Sequence, residues 1–357
     1  MSPQTIRRWS VLHRWSSLLC TLFMLLLCVT GLPLIFREEI DQALTGTGTV
    51  AAATPARSLE EVVATGSTLQ PDRVVQFIVW EPETPGQITL SMAATATAYP
   101  SDNISVLLDA ATGEPVAGGD AGIMELVLKL HGQLLLGPAG PPLLGLIAIA
   151  FLLSLLSGIV LYAPFMRRLP FGAVRRDRGV QVRRLDWHNL LGIVTAAWLL
   201  VVGGTGWINA WGGYIFQIWQ VTAMAPTPPD AVIRPPLVSA GAALQTALAA
   251  LPGHAPAIIA MPGSLMSDPG HYAIYLRGGS ALESRLMRAV LVDTQNGVVA
   301  SVPDIPWYIT GLLLSQPLHF GDYGGLALKL LWAVLDLVAI AVLWTGLRLW
   351  WRGRGVA

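Results

Sequence analysis

Four apolar runs, each about 20 residues long, constrain this chain more than any other feature. A bilayer core of about 30 Å takes about 20 helical residues to cross. The runs at 14–36, 143–163, 188–211 and 326–347 reach that length. They make the chain a mainly α membrane protein whose spans are expected to form a four-helix transmembrane bundle. Composition agrees, with 53 % of residues hydrophobic and 12 % charged. The intervening stretches are polar and rich in Gly, Pro and Thr, which excludes further spans.

Charge placement orients the spans, because short cytoplasmic loops collect Lys and Arg. Arg7, Arg8 and Arg14 flank the first span. The loop between spans two and three holds Arg167, Arg168, Arg175, Arg176, Arg178, Arg183 and Arg184, and the tail holds Arg348, Arg352 and Arg354. The formal net charge of 0 hides this asymmetry. The expected order begins with a cytoplasmic N-terminus (1–13), a first span (14–36) and a periplasmic connector (37–125). A periplasmic helix then leads into the second span (126–163), followed by the Arg-rich cytoplasmic loop (164–187) and the third span (188–211). A second periplasmic connector (212–316), a segment entering the fourth span (317–347) and a cytoplasmic tail (348–357) complete it. The setting is a bacterial inner membrane, with lipid as a partner and no nucleic acid expected.

The first run resembles a secretory signal in its position and basic flank, with "VAAATPA" downstream. It is longer than an ordinary signal core and continues into "REEID", so it is read as a retained span. Cys20 and Cys28 are eight residues apart on that span, about 12 Å along a helix, too far for a disulfide. No CxxCH occurs, which excludes covalent c-type haem.

The chain is written twice. His13 is followed by Thr30-Gly31 at offsets 17 and 18, and His188 by Thr205-Gly206 at the same offsets. His131 is followed by Ser157-Gly158 at offsets 26 and 27, and His319 by Thr345-Gly346 likewise. Glycine-containing breaks, Gly137-Pro138 and Gly324-Gly325, follow His131 and His319. The connectors repeat too. "SLEEVVATG", "RVVQFIVWE", "GQITLSMAA" and "ISVLLDAATGEPV" read as a helix and three strands. "SAGAALQTALAAL", "PAIIAMP", "GHYAIYLR" and "RAVLVDTQNGVVA" read the same way, with Asp109/Gly113 matched by Asp293/Gly297. The expected fold is an internal two-fold repeat with two small periplasmic α+β modules hung between pairs of spans.

Four of the six histidines therefore stand at matched places, His13 and His188 at the cytoplasmic edge, His131 and His319 at the periplasmic edge. Ionisable groups in spans are costly and face a partner in the bundle interior, and neutral imidazole is a good axial ligand for haem iron. A single interfacial histidine is more often a snorkelling or hydrogen-bonding residue. Four matched in pairs point instead to two non-covalent haem b groups, one held by His13/His188 and one by His131/His319. His254 and His271 have no matched copies and read as ordinary periplasmic residues. A cytoplasmic loop of about 25 residues is too short for a nucleotide domain, and no GxGxxG followed by a helix occurs. The electron donor is then a membrane quinol or a cytoplasmic reductase.

"LHRWSSLL", "TGLPLIFREEI", "LHGQLLLGPAGPPLLGL", "SGIVLY", "WHNLLG", "PLHFGDYGG" and the tail "LRLWWRGRG" resemble the PepSY-associated transmembrane family. That family includes haem-containing inner-membrane ferric-siderophore reductases of the FoxB type with PepSY-like periplasmic modules. The resemblance implies a reductase delivering electrons to a periplasmic ferric-siderophore, with His13, His131, His188 and His319 matching the family's histidine motifs.

Other residues carry weaker signals. Arg8, Arg14 and Arg184 are candidate propionate partners, since guanidinium binds carboxylates bidentately; topology alone also accounts for them. Asp336 lies mid-span in "WAVLDLVAI", where it serves proton balance or, protonated, hydrogen-bonds a neighbouring span. Trp9, Trp15, Trp187, Trp207, Trp211, Trp350 and Trp351 read as interfacial anchors. Tyr99, Tyr272, Tyr275, Arg277, Trp307 and Tyr308 are either packing or a surface for a ferric chelate. Two rival functions stand beside the reductase: a non-redox PepSY-type protein that binds or regulates a periplasmic partner, and a transition-metal transporter whose histidines line an ion path.

Overall fold

The computed structural model describes residues 1–45, 57–81, 84, 86–98, 103–116, 122–166, 169–223, 234–279 and 283–352. Arg167, Arg168, Arg354, Tyr99 and the "VAAATPA" stretch lie outside them. The chain forms two compact units, one of Met1–Arg37, Val127–Trp211 and Ser315–Ala357, the other of Glu38–Leu126 and Gly212–Leu314.

Helix α1 (Pro3–Leu34) starts at a serine cap, where Ser2 Oγ accepts from Thr5 N–H at 3.2 Å and Pro3 occupies the first turn. The first connector then carries α2 (Arg37–Thr45), α3 (Leu59–Leu69), and strands β1 (Val74–Val79), β2 (Gln87–Ala93) and β3 (Ile104–Asp109). Ser58 and Glu61 form a capping box at the start of α3. Next come α4 (Ile123–Gln133), α5 (Gly140–Met166) and α6 (Val180–Ala210). The second connector carries α7 (Gly212–Ala223), α8 (Ala240–Ala250), β4 (Ala255–Ala260), β5 (His271–Arg277), β6 (Met287–Asp293) and β7 (Val299–Ser301). Helices α9 (Trp307–Phe320) and α10 (Gly325–Arg352) close the described chain.

In the helical unit α1 packs on α5, α5 on α6, α6 on α10 and α10 back on α1, so four long helices close a ring. All four are long and apolar enough to cross a membrane. Their buried side chains include the small or hydroxylated Ser154, Ser157, Thr195, Ala150, Ala196 and Ala339, beside Leu144, Ile147 and Trp332. Large apolar side chains such as Leu19, Leu22, Leu146 and Val334 point outward, as suits helices solvated by lipid. Cys20 and Cys28 are free thiols. Helices α1 and α6 begin upstream of the apolar runs, at Pro3 and Val180. Capping at Ser2 and the turn at Gly179, which has φ +89°, set those starts, so both histidines lie inside continuous helix.

The connectors do not form two separate sheets. Their strands make one seven-stranded antiparallel sheet in the order β3-β2-β1-β4-β5-β6-β7. The junction pairs Phe77 with Ala260, Ile78 with Ile259 and Val79 with Ile258. The physical reason is the edge: "VVQFIV" and "APAIIA" left unpaired would each expose a row of N–H and C=O groups beside apolar side chains. Helices α3 and α8 cover one face through Val62, Ala243 and Ala247 against Ile78, Ile259, Ile274 and Val290. Residues of α7 and α9, including Trp219, Ile309 and Leu313, cover the other against Phe77, Tyr275 and Leu291. Burial on both faces explains why β5 and β6 read as continuous apolar runs rather than alternating ones.

Candidate cofactor site

Each of the four matched histidines leans on a hydroxyl-glycine pair of a neighbouring helix. His13 of α1 rests on Ser157-Gly158 of α5, and His188 of α6 on Thr345-Gly346 of α10. His131 of α4 rests on Thr30-Gly31 of α1, and His319 of α9 on Thr205-Gly206 of α6. The glycines are needed because the imidazole lies against the helix backbone. A Cβ built at Gly158, Gly346, Gly31 or Gly206 would stand 3.1, 3.2, 3.2 or 3.0 Å from the Cε1 of its histidine.

The hydrogen bonds define the tautomer. His13 Nδ1 lies 2.8 Å from Ser154 O and 3.2 Å from Ser157 Oγ. His188 Nδ1 lies 3.1 Å from Val342 O and 3.2 Å from Thr345 Oγ1. For His319 the distances are 2.9 Å to Val202 O and 3.3 Å to Thr205 Oγ1. His131 Nδ1 meets Thr30 Oγ1 at 2.9 Å and the carbonyl of Leu27. In every case the carbonyl belongs to the residue three before the hydroxyl. A carbonyl only accepts, so Nδ1 carries the proton and donates. Each hydroxyl has already spent its proton on its own helix, as in Thr205 Oγ1 to Val201 O at 2.7 Å and Ser157 Oγ to Ser154 O at 2.8 Å. Its lone pair faces the ring. Among the described residues all four rings bond through Nδ1, which leaves the bare Nε2 lone pair for a metal.

The rings then meet in pairs. His13 and His188 have centroids 6.4 Å apart with planes at 62°, and His131 and His319 repeat both values. Two facing imidazoles, each with a bare Nε2, are a donor set that would suit haem iron at each pair. Along α1, His13 and Thr30 are 17 residues apart, about 25 Å at 1.5 Å per residue, so the pairs sit toward opposite ends of the bundle. Three residues beyond His131, Leu134 and Leu135 take left-handed φ values of 52° and 57°. That conformation is costly for a side chain with a Cβ and marks a turn held by its surroundings.

The arginines part company. Arg184 is one turn before His188 on the same helix face, within 3.4 Å of Gln181 Oε1. Arg8 lines an open cleft with Gln4, Arg7, Val11 and Leu12, and Arg14 is exposed. Asp186, two residues before His188, is buried and takes a bidentate pair from Arg175, Nε at 3.0 Å and Nη2 at 2.8 Å. Arg175 also donates its backbone N–H to that carboxylate at 2.8 Å, tying the loop to α6. Sequence reasoning missed this pair and took the hydroxyl-glycine motifs only as markers of repetition. A histidine on one helix matched to a hydroxyl-glycine on the next was the available signal.

In the sheet unit, Tyr272 and Tyr275 are core residues whose hydroxyls donate to Val238 O and Met266 O at 2.9 and 3.0 Å. Arg277 donates to Trp80 O at 2.8 Å. Trp307 is 85 % exposed, with Tyr308 edge-on to it. His254 is partly exposed, whereas His271 Nδ1 donates to Asp268 at 2.9 Å. That hydrogen bond holds the His271 pKa above its ordinary value. A raised folded-state pKa stabilises fully below the unfolded value of about 6.5, and the gain is lost as pH rises through the folded pKa. His271→Gln is therefore expected to destabilise the sheet unit more at pH 5.5 than at pH 8.5, measured by chemical denaturation of parent and variant at both.

Residues 10–353 match the sequence profile of the PepSY-associated TM region. An uncharacterized protein of Pseudomonas aeruginosa, PA4219, is 30 % identical over 259 residues, which cover 66 % of this chain. The match spans 64 % of that relative's length. The chain belongs to the PepSY-associated TM family and is a membrane protein.

Proposed function

We propose that this member of the PepSY-associated TM family is a di-haem b-type reductase of the bacterial inner membrane, passing electrons to a periplasmic ferric-siderophore or similar ferric chelate. The observation that carries the reading is the pair of 6.4 Å imidazole contacts, each with Nδ1 donating and Nε2 bare. Haem bound between such rings supplies a reversible one-electron site. His13 and His188 would hold the cytoplasmic one, on the face that the arginine-rich loop and tail favour for the cytoplasm. His131 and His319 hold the periplasmic one. The hydroxyls and carbonyls at Nδ1 fix ring orientation and raise the basicity of the ligating nitrogen. Arg184, one turn before His188, would pair with a propionate at the cytoplasmic site. The two connectors, which share one sheet and read as PepSY-like repeats of each other, face the acceptor. A membrane quinol or a cytoplasmic reductase supplies the electrons. Reduction lets the chelate release iron for uptake as the more weakly held ferrous ion.

The test is optical. Purified protein is expected to show a Soret band and a dithionite-reduced minus oxidised α-band, with two non-covalent haems per chain. Adding a ferric trihydroxamate siderophore to the reduced protein is expected to reoxidise it. A colourless protein overturns the reading and returns the function to non-redox binding; a coloured protein that the ferric chelate leaves reduced overturns the acceptor.

A further inference from the structure

Asp336 sits in α10 with 7 % of its surface exposed, and its Oδ2 has no hydrogen-bond partner among the described residues. Its carboxyl lies beside the thiol of Cys28 on α1. Both residues are close in sequence to groups that touch the second histidine pair. Cys28 is two residues before Thr30, which bonds His131 at 2.9 Å. Asp336 is one turn after Trp332, whose Nε1 donates to the backbone oxygen of His319 at 3.3 Å and whose ring stands edge-on to Trp198. The long helices around it carry few ionisable groups: after Arg14, α1 has only Cys20 and Cys28. Helix α6 has no ionisable side chain from 189 to 210, α5 has only Tyr162, and the remaining charges of α10 lie at Lys329, Arg348 and Arg352.

We propose that Asp336, buried beside Cys28, is a proton-holding site that takes up one proton when one electron reaches the His131/His319 site. The inference rests on the di-haem reading. In this low-dielectric interior an added electron is poorly screened, so it raises the proton affinity of a buried carboxylate near it. The balance is one electron from the donor to the iron and one proton from water to a carboxylate oxygen of Asp336, with no net charge left behind. Reoxidation by the acceptor returns the proton. The unpartnered Oδ2 is the atom on which the proton lands.

The test is a spectroelectrochemical titration of the haem-loaded protein between pH 5.5 and 8.5. One of the two midpoints, assigned by its loss in His131→Ala, is expected to fall with rising pH at a slope approaching one proton per electron. Asp336→Asn is expected to flatten that slope and leave the other midpoint unchanged; Asp336→Glu is expected to retain it. A redox-induced infrared difference band of a protonated carboxyl, present in the parent and lost in Asp336→Asn, is the second readout. A coloured Asp336→Asn protein with the parental slope and infrared band overturns this proposal alone. A colourless parent overturns the di-haem reading and this proposal with it.

Discussion

His188→Ala is expected to remove one haem signal and spare the other, so that haem per chain falls by about half. The rings of His13 and His188 face each other at 6.4 Å, and removing one leaves the other as a single axial ligand on a site shaped for two. His13→Ala should have the same effect, and the double variant should be little worse than either, because the pair acts as a unit. Combining His13→Ala with His131→Ala should clear both signals. Haem content by pyridine haemochrome, with His254→Ala as the control, checks the pairing. Equal loss from His13→Ala plus His188→Ala and from His13→Ala plus His131→Ala would show that the pairs are drawn wrongly.

The second large effect is expected at the helices that support the ligands. Thr205→Val keeps the shape of the side chain but removes the oxygen that accepts from His319 Nδ1 at 3.3 Å. Loss of such an outer partner typically costs about 10–100-fold in metal affinity. Val202 O still accepts from the same nitrogen at 2.9 Å, so the loss should fall near the lower end, about 10-fold. Gly206→Ala should do more, because its Cβ would stand 3.0 Å from Cε1 and push the ring off the backbone. Thr205→Ser should retain the parental affinity. Haem transfer to an excess of an apo-globin acceptor measures all three, and a Gly206→Ala protein that holds haem as tightly as the parent would remove the packing argument.

Much of this arrangement could be read from residue spacing. The four spans follow from run length, and the matched offsets from His13 and His188 to Thr-Gly single out four histidines among six. The Asp109 and Asp293 turns were legible for the same reason: each carboxylate accepts from two following N–H groups, and Gly113 and Gly297 both take φ +71°. The helix starts were not legible, because hydropathy reports where a helix meets lipid and says nothing of the polar turns capped by Ser2. The aromatic residues divided in a way spacing does not reveal. Tyr275 and Trp307 look alike in sequence, yet one is buried beneath α7 and the other is almost fully exposed.

The sequence by itself determined a membrane protein with four apolar helices and histidines in two matched sets, because length, charge and offset are properties of the chain alone. Tertiary structure decided the rest. Only packing could show that Thr30-Gly31 serves His131 and not His13 of its own helix, since a side chain 17 residues away on one helix is about 25 Å distant while the neighbouring helix is in contact. Only packing could join β1 to β4, because an edge strand's hydrogen bonds are satisfied by whatever strand lies beside it and not by its own residues. The burial of Asp336 beside Cys28 is likewise a fact of two helices meeting, written in neither one.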